Sequence, residues 1–182
     1  MYWYHRISPF LTLFFAAVGI ILHFKVGIAT ALPLYLGALF LLVTYLLFGN
    51  IWLALGKLKR GNLHQAETIL KSIKYPKLLF RTHRAYYHFI QGMLAIKQEN
   101  MEDGKVNLEE ALEIGIHRAT DRALITLNLA SLYLQQNNIP KASNYIKETL
   151  ECPTNDLLIK QRAVLFERKI QDLLSQQKAS SN

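Results

Sequence analysis

The sequence contains a single cysteine, Cys152, among its 182 residues, and its six histidines are scattered along the chain. One cysteine cannot form an internal disulfide, which excludes a disulfide-stabilised fold and is typical of a reducing compartment. The histidines lack a metal-ligand spacing such as H-E-x-x-H, and the sequence has no glycine-rich phosphate loop. No histidine lies near Cys152 in the sequence to activate it as a nucleophile. We therefore predict neither an enzyme nor a metal or cofactor site.

Charged residues are missing from long parts of the N-terminal third. Between Ile7 and Phe24 only His23 can carry a charge, and no charged residue lies between Val26 and Gly56. Both stretches reach the length of about 18 apolar residues that is typical of a membrane-spanning helix. We predict that residues 1–49 form a two-helix transmembrane hairpin in a lipid bilayer. Its spans are expected at about 7–24 and 33–53, joined by a short turn in "KVGIATALP".

A cleaved signal peptide is the alternative for the first apolar stretch. The triplet "ATA" at Ala29 to Ala31 has the small-x-small form of a cleavage site, behind a charged start and an apolar core. Lys25 interrupts that core, however, and a second full span follows at once. These two features favour the hairpin.

Acidic residues are absent from residues 1–56 and nearly absent from the next stretch. Residues 57–97 carry nine Lys or Arg against Glu67 alone, whereas residues 98–182 carry ten basic residues against twelve acidic ones. The basic excess therefore lies just after the second apolar stretch, as the positive-inside rule expects of a cytoplasmic segment. Alternatively, part of this surface binds anionic lipid headgroups. No groove-reading motif is present, so we expect no nucleic-acid partner.

The basic residues that flank the two spans predict their orientation. Arg6 precedes the first span, Lys25 lies alone in the turn, and the membrane-proximal residues Lys57, Lys59 and Arg60 follow the second span. We therefore predict an integral membrane protein of the inner or plasma membrane, with both termini and the domain after the hairpin in the cytoplasm.

The second span is expected to continue beyond the bilayer. From Pro33, which suits the first turn of a helix, to Arg60 the sequence has no further proline and no turn cluster. One helix of this length would measure about 42 Å, whereas the bilayer core needs only about 30 Å. Its last two turns would then form the first helix of the cytoplasmic domain.

A pattern that recurs at a step of 38 residues follows the second span. The stretch "GNLHQAETILKSI" contains Asn62, and its counterparts "NMEDGKVNLEEAL" and "NIPKASNYIKETL" start at Asn100 and Asn138. An Asn side chain accepts a hydrogen bond from a free N–H of the first helical turn, so each Asn is predicted to begin a helix. Small and apolar residues follow at the spacing of a buried helical stripe.

Another helix precedes each of the last two copies, in "HRAYYHFIQGMLAIKQE" and "DRALITLNLASLYLQQN". Small residues face each other across each turn, Gly92 with Gly104 and Ala130 with Ala142, twelve residues apart in both cases. This arrangement resembles the tetratricopeptide repeat over about residues 50–149. The step of 38 residues is longer than the usual repeat of about 34. The resemblance implies an all-α fold, an α-solenoid of about three helix pairs that continues from the hairpin.

The C-terminal part is predicted to close the solenoid. A stripe of apolar residues runs along "TNDLLIKQRAVLFERKIQDLLSQQ", which predicts one amphipathic capping helix with a polar outer face. The repeat domain would then span residues 50–176, and residues 177–182 would form a disordered tail. The expected buried stripe comprises Ile159, Ala163, Phe166, Ile170 and Leu173.

The resemblance also implies a concave groove lined by the first helix of each pair. A groove rich in Tyr, Phe, Met and Leu favours an apolar helix or peptide, whereas the Lys and Arg ring of peptide-carboxylate clamps is not reproduced. Alternatively, the protein's own helices cover these side chains. By register, the lining residues are Tyr86, Phe89, Ile90, Met93, Lys97, Leu124, Leu127, Asn128, Ser131 and Gln135.

Two functions remain open at this point. The first is a membrane-anchored, non-enzymatic scaffold or adaptor whose cytoplasmic groove recruits a protein partner. The second is an accessory or assembly subunit that contacts a larger membrane complex through its two transmembrane helices. Small residues in the spans allow close helix packing, either within the hairpin or with another subunit. They are Ala16, Ala17, Gly19, Gly37 and Ala38.

Overall fold

The computed structural model of the chain describes residues 2–48 and 50–180, and describes side chains for residues 10–43 and 50–176. These residues form nine α-helices and one 3₁₀ turn, with no strand among them, which confirms the all-α fold class. The helices are α1 (Tyr2–Val26), α2 (Ile28–Phe48), α3 (Ile51–Lys59), α4 (Leu63–Lys71), α5 (Arg81–Lys97), α6 (Met101–Ile114), α7 (Ala119–Gln135), α8 (Ile139–Glu151) and α9 (Leu157–Ser180), and the 3₁₀ turn is Pro76–Leu78.

The chain divides into two compact units, Met1–Tyr87 and His88–Asn182. The boundary lies within α5, whereas the sequence predicts a domain boundary after residue 49, which itself lies outside the described residues. As a result, α3 and α4, which carry the first copy of the 38-residue pattern, belong to the same unit as α1 and α2.

The connection between α1 and α2 is a single residue, Gly27. Its backbone is left-handed, with φ of 107°, and its N–H donates to the carbonyl oxygens of Leu22 and His23 at 3.3 and 3.2 Å. Because glycine adopts this conformation without steric cost, the chain reverses without the longer turn expected in "KVGIATALP". Consequently α2 begins at Ile28, and Pro33 lies inside the helix rather than in its first turn.

Small residues fill the contact between α1 and α2. Gly19, Ala31 and Ala38 are buried, and a Cβ atom on Gly19 would lie 2.9 Å from Cε1 of Tyr35. Most of the described large apolar side chains of α1 and α2 are exposed. They are Phe10, Leu11, Leu13, Phe14, Ile20, Ile21, Phe24, Val26, Ile28, Leu32, Leu36, Leu39, Phe40, Leu42 and Val43.

The expected continuous helix from Pro33 to Arg60 is wrong. Helix α2 ends at Phe48, Asn50 is in a turn, and α3 starts anew at Ile51. Asn is a poor residue for a helix interior, so Asn50 favours a helix end at this point. The hairpin and the first repeat therefore do not share one helix.

Three copies of one turn join α3 to α4, α5 to α6 and α7 to α8. In each, the residue before the capping Asn has a positive φ: 75° at Gly61, 63° at Glu99 and 57° at Asn137. The N–H of the Asn then donates back to a carbonyl oxygen five residues earlier, the bond that closes a Schellman-type helix end. These bonds are Asn62 to Lys57 at 3.0 Å, Asn100 to Ala95 at 2.9 Å and Asn138 to Tyr133 at 2.9 Å.

The same Asn residues also cap the helices that follow. Each side-chain oxygen accepts a hydrogen bond from the backbone N–H three residues on, which confirms that each Asn begins a helix. The bonds are Asn62 with Gln65 at 3.2 Å, Asn100 with Asp103 at 3.3 Å and Asn138 with Lys141 at 3.2 Å.

Pairs of small residues let the paired helices approach closely. Gly92 and Gly104 face each other on α5 and α6, and a Cβ atom on Gly92 would lie 2.8 Å from Leu108 and 3.0 Å from the carbonyl oxygen of Gly104. Ala130 and Ala142 hold the same positions on α7 and α8 and are fully buried. In each pair, residues farther before the turn contact residues farther after it, so the two helices are antiparallel. Examples are His88 with Asn107 on the second pair, and Thr126 with Thr149 on the third.

Helix α9 packs on α7 and α8 through the stripe that the sequence predicts. Ile159, Ala163 and Ile170 are buried in one core with residues of α7 and α8, and Phe166 and Leu173 pack against it. The helix continues to Ser180, beyond the expected start of a tail at residue 177, and residues 181–182 lie outside the described part. Its outer face is less polar than a cap should be, since it exposes Leu157, Leu158, Val164 and Leu165.

Candidate functional site

The predicted groove residues on α5 fall into two groups. Tyr86, Phe89 and Ile90 are almost fully buried, whereas Met93 is half-buried and Lys97 is exposed. The ring of Tyr86 packs against the ring of Trp52 from α3, with centroids 4.8 Å apart. The three buried side chains are therefore core residues in this structure and have almost no surface to offer a partner.

On α7 the predicted residues form a more accessible and more polar strip. Leu127 is buried, but Leu124, Asn128 and Ser131 are half-buried and Gln135 is exposed. The Asn128 side-chain amide donates to the carbonyl oxygen of Leu124 at 2.6 Å, which fixes its orientation and leaves its own oxygen as an acceptor. Six of the predicted groove residues keep accessible surface, and we call them the α5/α7 strip. They are Met93 and Lys97 on α5 and Leu124, Asn128, Ser131 and Gln135 on α7.

A hydrogen-bonded cluster joins α6, α7 and α8. The phenols of Tyr133 and Tyr145 both donate to Glu109, and the two rings stack with centroids 5.6 Å apart. Lys141 lies 4.8 Å from the centre of the Tyr133 ring and donates to its hydroxyl at 3.3 Å. Together these contacts tie three helices across their packed faces.

At neutral pH these hydrogen bonds hold the three helices together. Burial, followed by the hydrogen bond to Glu109, raises the pKa of Tyr133 to about 12. The pKa of Tyr145 is also raised, chiefly by burial and by the nearby carboxylate. A phenol whose pKa is raised in this way keeps its proton, and a catalytic base needs a pKa near the working pH.

The histidines at positions 83 and 88 lie on the same helix but have different partners. His83 accepts a hydrogen bond from the indole N–H of Trp52 at 3.1 Å, so its other ring nitrogen carries the proton in the neutral form. The Nδ1 atom of His88 lies 3.1 Å from Oδ1 of Asn107 and 3.3 Å from Oε2 of Glu110. Within the part of the chain that the structure describes, no group of three or more His, Cys, Asp or Glu residues is arranged to hold a metal ion.

The basic residues predicted to lie next to the membrane occupy the far end of α3. Lys57 is half-buried, and Lys59 and Arg60 are exposed. Since α3 starts afresh at Ile51, they follow the end of α2 by a further helix of about 13 Å. Other basic residues, at positions 74, 77 and 81, follow the end of α4.

The described residues expose three apolar surfaces. The first is the outer face of α1 and α2, which the predicted hairpin implies. The other two are not predicted from the sequence: the outer face of α9, and the segment between α4 and α5 that comprises Tyr75, Leu78 and Phe80. In the sequence, the exposed apolar residues of α9 form a second row beside the buried stripe. Over the described residues, no helix combines the length and apolarity needed to cross a membrane.

Comparison with known proteins adds no further constraint on the site. No family model matches the sequence, and no curated protein or solved structure is significantly similar to the chain. The resemblance to tetratricopeptide repeats therefore depends on the residues and turns described above.

Proposed function

We propose that this protein is a membrane-anchored, non-enzymatic adaptor. In this proposal the α1–α2 hairpin inserts into the inner or plasma membrane, and the helices from α3 onwards form a tetratricopeptide-like domain in the cytoplasm. That domain recruits a protein partner to the membrane surface.

The observation that carries the proposal is the exposed apolar face of the hairpin. Among the described side chains of α1 and α2, fifteen large apolar ones are exposed, while the buried positions are the small residues Gly19, Ala31 and Ala38. An exposed apolar area of this kind marks a membrane or a protein interface, because it is costly to hydrate. The uncharged run in the sequence from Val26 to Gly56 supports the membrane.

The partner is proposed to bind the α5/α7 strip. Its accessible side chains offer an amide, a hydroxyl and an ammonium group beside partly exposed apolar atoms. Of the two partners that the sequence suggests, an apolar helix or a peptide, such a strip suits an extended peptide better, because a peptide backbone needs hydrogen-bond partners. Asn128, held by its bond to Leu124, is the best-positioned acceptor for a peptide N–H.

The accessory-subunit function is the second candidate, and one observation favours it. Gly19 and Ala38 are used within the hairpin, but Ala17 is exposed and a Cβ atom on Gly37 would meet no atom within 4 Å. These open small positions allow a helix of another membrane subunit to approach closely.

Two variants separate the candidates. Asn128→Ala with Gln135→Ala removes polar groups from the α5/α7 strip, and Ala17→Leu with Gly37→Leu fills the open positions of the hairpin. We expect the first variant to lose most of the co-purifying partner from detergent-solubilised membranes, and the second to retain it. Circular dichroism should be unchanged in both, since all four positions lie outside the core.

Either result decides between the two functions. Retention by the first variant with loss by the second would replace the adaptor by the accessory subunit. Membrane insertion itself is tested by alkaline carbonate extraction of the unchanged protein, and release into the supernatant would contradict the hairpin proposal.

A further inference from the structure

The connection between α4 and α5, residues 72–80, exposes three large side chains close together. Tyr75 is 65 % exposed, and Leu78 and Phe80 are each 60 % exposed. We call residues 72–80 the connector. Isolated exposed apolar residues are common, but three within six positions of one short segment are a patch that calls for a physical explanation.

The connector has a defined conformation. Residues Pro76–Leu78 form a 3₁₀ turn, in which the N–H groups of Leu78 and Leu79 donate to the carbonyl oxygens of Tyr75 and Pro76, both at 3.1 Å. Leu79 is buried and fastens the segment to its own unit. With Leu79 turned inward, the residues on either side of it present their side chains outward.

Basic residues alternate with these apolar side chains. Lys74 and Lys77 lie within the connector and Arg81 follows it directly, and all three are exposed. No acidic residue occurs between Glu67 and Glu99. The patch therefore combines apolar tips with exposed positive charge, which complements an anionic lipid surface.

The chain path returns the connector to the end of the hairpin. Helices α3 and α4 have nine residues each, pack together and are joined by the tight turn at Gly61. Two antiparallel helices of equal length, each about 13 Å long, bring the end of α4 back to the start of α3. That start, at Ile51, is three positions after the end of α2 at Phe48.

We propose that the connector is a second, interfacial membrane contact that binds anionic lipid headgroups. Tyr75, Leu78 and Phe80 enter the boundary between headgroups and acyl chains, and Lys74, Lys77 and Arg81 contact lipid phosphates. This inference rests on the proposed insertion of the hairpin, since the end of α2 is what holds the connector at the membrane surface. It also assigns the membrane-facing basic role to residues 74–81 instead of Lys57, Lys59 and Arg60.

Depth-dependent quenching in vesicles tests the connector directly. The full chain carrying Cys152→Ser is given one new cysteine, L78C, and labelled with an environment-sensitive fluorophore. Two matched variants, L36C in the hairpin and L165C on α9, replace other exposed leucines. Each protein is reconstituted in phosphatidylcholine vesicles with or without phosphatidylglycerol, and the quencher is a lipid that carries a nitroxide near its headgroup.

We expect the label at position 78 to be quenched several-fold more strongly than the label at position 165, and only in vesicles that contain phosphatidylglycerol. Replacing Lys74, Lys77 and Arg81 by Gln should reduce the quenching at position 78 to the level at position 165. The label at position 36, read with a quencher deep in the acyl chains, should not respond to that change. High salt should act like the Gln variant, because it screens the lysine and arginine charges.

The outcomes distinguish this inference from the proposed function. Deep quenching at position 36 with no quenching at position 78 overturns the connector contact and leaves the hairpin anchor intact. Absence of deep quenching at position 36 overturns the anchor and the inference together. A label at position 78 that is shielded from water in native membranes, but not in vesicles that contain no other protein, would assign the connector to a protein partner and overturn the lipid proposal.

Discussion

The α1–α2 hairpin and the helices α7–α9 use apolar residues in opposite ways. Among the described side chains of the hairpin, the buried ones are glycine and alanine, and most of the large apolar ones are exposed. In α7–α9 the large side chains enter one core, and α9 keeps a modest apolar patch outside it. The first arrangement suits the membrane insertion that we propose for the hairpin, and the second is the ordinary packing of helices around one apolar core.

The way each region turns the chain differs as well. Both kinds of turn contain a residue with positive φ. In the hairpin this is Gly27, whose carbonyl oxygen accepts a hydrogen bond from the Thr30 hydroxyl, whereas each repeat turn adds a Schellman-type bond and a capping Asn. Helix ends that face water need partners for their free N–H and carbonyl groups, and side chains supply them here. The repeated turn therefore satisfies these backbone groups in the same way at three helix ends.

The strongest test of this contrast removes the same side chain from both regions. Phe89 is 1 % exposed and Phe14 is 62 % exposed. We expect Phe89→Ala to lower the free energy of unfolding by about 3–5 kcal/mol, as cavity-forming changes do, and Phe14→Ala to change it by less than about 0.5 kcal/mol. Urea unfolding in mild detergent, followed by circular dichroism, measures both. A large loss for Phe14→Ala would mean that the outer face of the hairpin is packed against protein.

Replacing a glycine by alanine should change the free energy of unfolding by a smaller amount, with opposite sign in the two regions. Gly92→Ala places a Cβ atom 3.0 Å from the carbonyl oxygen of Gly104 and 2.8 Å from Leu108, and should destabilise by about 1–3 kcal/mol. Gly37→Ala meets no atom within 4 Å and should stabilise its helix by about 0.5–1 kcal/mol. Thermal unfolding of the two variants gives the comparison. Equal signs would remove the distinction between tight and open glycine positions.

Several features of the fold were predictable because they depend on local spacing. The capping role of Asn62, Asn100 and Asn138, the small residues twelve positions apart, and the buried stripe of α9 all follow from helical periodicity and cap chemistry. The break between α2 and α3 was not predictable in the same way, because the uncharged run from Val26 to Gly56 continues through it and apolarity alone does not place a helix end.

The groove was less predictable, for a different reason. Register places Tyr86, Phe89, Ile90 and Leu127 on a helix face, but it does not tell whether other helices cover that face. The sequence did hold a signal: α7 is apolar nearly all round in "ALITLNLASLYL", which is typical of a helix packed on most sides. A helix that lines an open groove needs a polar side, and on α7 that side is narrow.

The repeat turns themselves provide the next test. Asn138→Ala should cost about 1 kcal/mol, because the N–H of Lys141 loses its acceptor. Glu99→Gly should instead stabilise by about 1 kcal/mol, since Glu99 holds a φ of 63° where the first copy has Gly61. Gly61→Ala is the matched reverse change and should destabilise. The midpoint of urea unfolding reports all three, and a destabilising Glu99→Gly would contradict the equivalence of the turns.

The smallest effect at neutral pH is expected at Tyr133, and it grows with pH. Tyr133→Phe removes the hydrogen bond to Glu109, which should cost about 0.5–1.5 kcal/mol. The pKa of Tyr133 is raised to about 12 in the folded protein, whereas an unfolded tyrosine has a pKa of about 10. The folded state thus holds a proton that the unfolded state releases. The stability from this phenol is complete below about pH 10 and is lost as the pH rises towards 12.

Alkaline pH should therefore weaken α6–α8 while the hairpin, which lacks such a cluster among its described residues, keeps its helices. Unfolding between about pH 9 and about pH 11.5, on either side of the ordinary tyrosine pKa, should show a shallower decline for Tyr133→Phe than for the unchanged protein. Tyr75→Phe, an exposed tyrosine in the connector, is the control and should follow the unchanged protein. If both variants decline with the same slope, the raised pKa of Tyr133 does not contribute to the stability of the repeat core, and packing alone holds α6 to α7 and α8.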